Sequence, residues 1–126
     1  MQLIPLAILA TFMLACSSAP SHDEQLRTRE EVLRSACPSG SSLRAVSEAL
    51  RAEGVPFTVM PPAQCHRAYV EVLGQPEACA GGSRIDAQAV ISRTWVGFET
   101  SLLVTYLFNA EERLRVAHYR PHSTWL

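Results

Sequence analysis

The sequence predicts an α+β domain in which an N-terminal two-helix hairpin packs on a three- to four-stranded antiparallel β-sheet meander. Three observations carry this expectation. Apolar residues recur at helical spacing as far as Glu53, the pattern then changes to alternation, and no internal repeat interrupts that order.

The first helix is expected over Asp23 to Ala36, DEQLRTREEVLRSA. Strong helix formers dominate it, acidic residues occupy its first turn, and Leu26, Leu33 and Ala36 recur on one face. Cys37-Pro38-Ser39-Gly40 breaks it, because proline cannot continue a helix and glycine accepts left-handed backbone. Ser41 suits an N-cap for the second helix, whose apolar stripe is Leu43, Val46 and Leu50. Gly54 and Pro56 stop that helix after Glu53.

Strands are expected next. Val55 to Met60 is short and β-prone, Pro61-Pro62 bounds it, and Arg67 to Leu73, RAYVEVL, alternates well enough for a second strand. Gln75 to Ser83 reads as a loop, and Ile85, Ala87, Ala89 and Ile91 alternate with polar partners up to a turn near Val96 to Thr100. SLLVTYLF, Ser101 to Phe108, is the strongest strand signal, and a four-residue connection, Asn109 to Glu112, leads to a last strand from Arg113 to Tyr119.

Ahead of the domain stands MQLIPLAILATFMLACSSAP. The apolar run from Leu3 to Leu14 is too short for the roughly 20 residues of a membrane-spanning helix and reads as a targeting segment. It ends in Ala15-Cys16 followed by Ser17-Ser18-Ala19-Pro20, which resembles the lipobox of bacterial lipoproteins. That resemblance makes residues 1–15 a signal peptide, Cys16 the acylated first residue of the mature chain, 16–22 a tether and 23–126 a single domain. Ser17 stands where the inner-membrane retention signal would place Asp, so the implied location is the outer membrane, facing the periplasm.

The chain has 126 residues and a formal net charge of −1, which argues against a nucleic-acid footprint. All 11 basic residues are arginine, a skew that a GC-rich coding genome explains. With Cys16 acylated, Cys37, Cys65 and Cys79 remain, so one is left over from any pairing. Cys65 with Cys79 is the preferred disulfide because both flank one segment, and Cys37 with either of them is the alternative. Cys65, His66 and Cys79 lack paired metal-ligand spacing, and His118 and His122 fall in a strand pattern beside Pro121, so no metal and no cofactor is expected. No GxSxG, phosphate-binding loop or HExxH occurs, and no enzymatic activity is expected. Tyr106 and Phe108 share one face and belong to the core, whereas Trp95, Phe98 and Trp125 are the candidates for an exposed binding patch.

Taken in order, the lipobox, the tether, the turn at Gly40, the helix carrying Val46 and Leu50, the stop at Gly54 and Pro56, and the terminal pair LLVTYLFNAEERLRV resemble small outer-membrane lipoproteins of the SmpA/BamE type. The resemblance implies a two-helix hairpin on a three-stranded sheet, the architecture shared with β-lactamase inhibitor protein. It also implies a role as an accessory subunit in assembling outer-membrane β-barrel proteins. This chain inserts Pro61 to Ser83, and it places Glu111-Glu112 in a turn where the family often has glycine. The expected function is that of a lipid-anchored envelope protein with an envelope protein partner; the alternative is a ligand-binding or enzyme-inhibitor module using the open face of its sheet.

Overall fold

A computed structural model describes residues 21–125. The expected signal peptide, the expected acylation site Cys16 and most of the expected tether therefore lie outside the described residues, as does the side chain of Trp125. The fold is α+β, with helical segments set against one four-stranded antiparallel sheet of order β1-β2-β3-β4.

Helix α1 spans His22–Ala36, and its N-cap Ser21 accepts a hydrogen bond from the Glu24 N–H at 3.2 Å. Helix α2 spans Leu43–Ala52. Its cap is Ser42, which accepts from the Ala45 N–H at 3.0 Å, one residue later than expected, because the Ser41 hydroxyl is engaged with the Pro38 carbonyl at 2.6 Å. The stop falls where expected: Gly54 is left-handed at φ 67°.

Strand β1 is Phe57–Met60, β2 Arg84–Arg93, β3 Phe98–Phe108 and β4 Leu114–Trp125. Each pairs with the next in antiparallel register. One face of the sheet supplies Ile85, Ala87, Ala89, Leu102, Val104, Tyr106 and Phe108 to the core, where Leu33 of α1 and Val46 and Leu50 of α2 meet them. Leu33, Val46, Leu50, Tyr106 and Phe108 are each 0 % exposed. Burial of side chains of this size stabilises by about 1.5–3 kcal/mol each, which is what holds the helices on that face. Ala36 is exposed, and the buried end of the α1 stripe is Cys37 instead.

The expected strand Arg67 to Leu73 is not a strand. Helix α3, Pro62–Cys65, begins with Pro62 in the first turn and continues as a π-helical stretch over His66–Val72. Proline there presets the helical φ, and the alternation of Ala68, Val70 and Val72 is not matched by burial: Val72 is 73 % exposed. His66 Nδ1 and Glu71 Oε1, five residues apart and 3.3 Å from each other, meet at the spacing that π-helical winding favours. Cys65 and Cys79 form a disulfide with Cα atoms 6.2 Å apart. Arg84 ties the same segment to the sheet, donating to the Ala78 carbonyl at 3.0 Å and to both carboxylate oxygens of Asp86 while lying 4.1 Å from the Tyr69 ring centroid.

Candidate functional site

The first candidate is the sheet face turned away from α1 and α2. Alternation along the strands puts Asp86 and Gln88 of β2, Glu99, Ser101, Leu103 and Thr105 of β3, and Val116, His118, Arg120 and His122 of β4 on this face. The register of β2 against β3 slips between Val90 and Ser92, so that Arg93 comes opposite Glu99. Glu99 is 5 % exposed, and its carboxylate accepts from Arg93 Nε at 2.7 Å, Gln88 Nε2 at 3.1 Å and Ser101 Oγ at 3.2 Å. The hydrogen bond from Arg93 holds this carboxyl below the usual carboxylate range, against the opposing effect of burial.

On the β4 side the fixed charge is the Arg120 guanidinium, with a histidine on either side of it along the strand face. His118, Arg120 and His122 are all exposed, opposite Thr105, Leu103 and Ser101. Leu103 and Val116 are half-buried within this face, and a groove of about 340 Å³ opens beside Leu103 along Pro56, Phe57, Thr58 and Gln88. The face is a mosaic of apolar, acidic and basic groups, a composition suited to a protein contact.

The second candidate is the tip between β2 and β3. Trp95 is 96 % exposed and Val96 53 %. Phe98 is half-buried at the start of β3 and so does not join Trp95 in a fully exposed patch; the backbone of Trp125 pairs with Phe98. The turn lies at Thr94 to Gly97, slightly earlier than expected, and is closed by hydrogen bonds from Thr94 N to Phe98 O at 2.8 Å, Gly97 N to Thr94 O at 3.1 Å and Phe98 N to Thr94 Oγ1 at 3.1 Å. Gly97 is left-handed at φ 91°, as a three-residue hairpin loop requires.

A third feature is a groove of about 410 Å³ between Gln25, Thr28, Arg29 and Val32 of α1 and Val90 and Ile91 of β2.

Cys37 is a free, buried thiol at the end of α1, and burial raises it above the ordinary thiol range. It faces the Tyr106 and Tyr119 hydroxyls, whose rings stand edge to face at 6.1 Å. Burial also raises both phenols, and neither hydroxyl makes a hydrogen bond of good geometry. Arg34 lies 4.3 Å from the Tyr119 ring centroid and covers the cluster. Burial, reinforced by the nearby Glu53 carboxylate, disfavours the thiolate form of Cys37. Among the described residues no group of three His, Cys, Asp or Glu is placed to hold a metal, and no helix is long and apolar enough to cross a membrane.

Sequence reasoning missed the Glu99 network. Its signal was present only as polar residues at strand positions, and nothing local showed that Gln88 and Ser101 would converge on one carboxylate from neighbouring strands. No family model, curated protein or solved structure matches the chain.

Proposed function

We propose that this chain is a lipid-anchored periplasmic protein of the bacterial cell envelope, held on the outer membrane through Cys16, that acts through protein contacts as an assembly or structural accessory factor rather than as an enzyme. The observation that carries the reading is the second face of the sheet. The two long helices occupy the opposite face, and half-buried Leu103 stands between Gln88 of the Glu99 network and Arg120 of the basic row His118, Arg120 and His122, with Val116 preceding that row on β4. That surface suits a partner presenting apolar residues flanked by acidic ones. In the same reading α1 and α2 are the helical hairpin of the SmpA/BamE type, a view supported by Arg29 of α1, which donates to the Glu53 carbonyl at the end of α2 at 2.7 Å.

The test is affinity purification of the full chain from detergent-solubilised membranes. A stoichiometric envelope protein is expected with the wild type and is lost with Leu103→Glu, whose membrane association stays normal. Recovery of no such partner would refute the reading. Cys16→Ser should separately abolish acylation and release the protein from membrane fractions.

A second reading, a ligand-binding or enzyme-inhibitor module on the same face, is favoured by the groove beside Leu103. Inhibition of a secreted hydrolase by the purified chain, relieved by Leu103→Glu, would select it over the first.

A further inference from the structure

We infer that the β2–β3 tip is a lipid contact, with Trp95 and Val96 seated in the interfacial layer of the phospholipid surface to which the N-terminal segment leads. This rests on the lipid anchor proposed above. The tip uses neither side chain for folding: Trp95 is 96 % exposed, and the turn is closed by Thr94 and Gly97. A tryptophan at a hairpin tip presents a large apolar ring with one polar N–H, which is the chemistry of the membrane interface. The closed turn holds that ring out with little further loss of chain entropy.

The position of the chain's ends names the occupant. Helix α1 begins at this end of the sheet, with His22 Nε2 3.5 Å from Ser92 Oγ, and Ser92 is three residues before Trp95. Cys16 is six residues before His22, a stretch that spans at most about 20 Å. An acyl chain on Cys16 therefore keeps the tip within reach of the headgroups. The opposite end of the sheet, at Asn109 to Glu112, lies against the α1–α2 connection instead, through Leu43 N to Glu112 O at 3.1 Å.

Charge at the tip end is mixed. Asp23, Glu24 and Arg27 lie on the exposed first turns of α1, and Arg93 is paired with Glu99. Among the described residues no basic patch is built there, so attraction to anionic lipid does not drive the contact, which should persist at high salt.

The experiment uses the full chain, purified in detergent and reconstituted into phosphatidylethanolamine and phosphatidylglycerol vesicles. The sequence has two tryptophans, so Trp125→Phe leaves Trp95 as the reporter. Expected are a blue-shifted emission, quenching by lipids brominated near the headgroup, and loss of quenching by aqueous iodide, all unchanged by salt. Trp95→Ser in the otherwise native chain should remove the bromolipid-quenched component, a control independent of the Trp125 substitution.

Intact mass and vesicle flotation of wild type and Cys16→Ser report on the anchor separately. If the chain is acylated and floats but Trp95 stays open to iodide, the tip inference is overturned and the anchor stands. If Trp95 is blue-shifted in native membranes yet untouched by bromolipid, its site is a protein pocket and the inference is equally overturned. If the chain carries no acyl group but bromolipid still quenches Trp95, the tip inference stands and the anchor reading falls. An unacylated chain that neither floats nor is quenched overturns both.

Discussion

Glu112 is the one described non-glycine residue with positive φ, at 59°, in the turn that closes β3 onto β4. An L side chain in this conformation costs about 1–2 kcal/mol. The position is held from several sides: Glu112 N donates to Asn109 O at 2.9 Å, Leu43 N donates to Glu112 O at 3.1 Å, and the carboxylate accepts from the Ser83 hydroxyl at 3.1 Å. Ser83 is only 4 % exposed, so removing the carboxylate strands a buried donor, a loss of about 1–3 kcal/mol. Glu112→Ala and Glu112→Gly both suffer that loss, and both keep the backbone bonds. Glycine alone relieves the left-handed strain, while loosening the unfolded chain by about 0.4–1 kcal/mol. Glu112→Gly should therefore be the more stable of the two by about 0.5–1 kcal/mol, or roughly 2–8 °C in Tm for a domain of this size. Thermal and urea unfolding of both variants, with Ser83→Ala to complete a cycle for the carboxylate bond, make the comparison. An alanine variant as stable as the glycine variant would show that the turn stores no left-handed strain.

Three further outcomes follow from the same packing. A Cβ at Gly82 would collide with the carbonyl oxygens of Asn109 and Phe108, so Gly82→Ala should cost at least about 2 kcal/mol in urea unfolding, and a neutral result would show that this backbone approach is not close. Arg84→Lys loses the two-pronged contact with Asp86 and the stacking on Tyr69, so hydrogen exchange over residues 62–79 should quicken while the core amides keep their protection; unchanged exchange would remove Arg84 as the clamp. Because Arg93 lowers the Glu99 carboxyl, the folded chain binds its proton at lower pH than the unfolded chain does. The stabilisation is thus full above the unfolded carboxyl value of about 4.3 and fades as pH falls through the lower folded value. Tm of the wild type should drop more steeply below that point than Tm of Glu99→Gln, and parallel curves would contradict the assignment.

Periodicity made α1, α2 and the three long strands legible, because each buries one stripe or one face and the residues carrying it recur at the spacing of the element. Where burial is thin, the same logic failed. Residues 67–73 alternate in sequence but stand beside the core rather than in it, and there the helix-starting Pro62 and the bridge from Cys65 to Cys79 outweigh a weak β pattern. The left-handed backbone at Glu112 had one signal, an acidic pair standing in a turn that glycine would suit, whereas the closeness of Gly82 to Phe108 was not readable, since it arises from the meeting of the β3–β4 turn with a segment distant in sequence. The Glu99 network depends on one extra residue near Val90, and a one-residue slip in register leaves no compositional trace.

The two proposed contacts lie on different parts of one rigid sheet, so they can be separated experimentally. β2, with 10 residues at about 3.3 Å each, runs roughly 33 Å from its start to the tip end. On the proposed anchoring the strands rise from the lipid at Trp95, and the face carrying Leu103 and Arg120 looks sideways along the membrane. A partner that meets this face must itself stand at the membrane, and co-residence on one surface raises the effective concentration of each for the other. Leu103→Glu should therefore lose the partner while the chain still floats with vesicles, and Cys16→Ser should lose both, since a soluble chain forfeits that concentration. If Cys16→Ser released the chain from the membrane yet retained the partner at full stoichiometry, the partner contact would owe nothing to the anchor. The face would then be an interface for a soluble periplasmic protein.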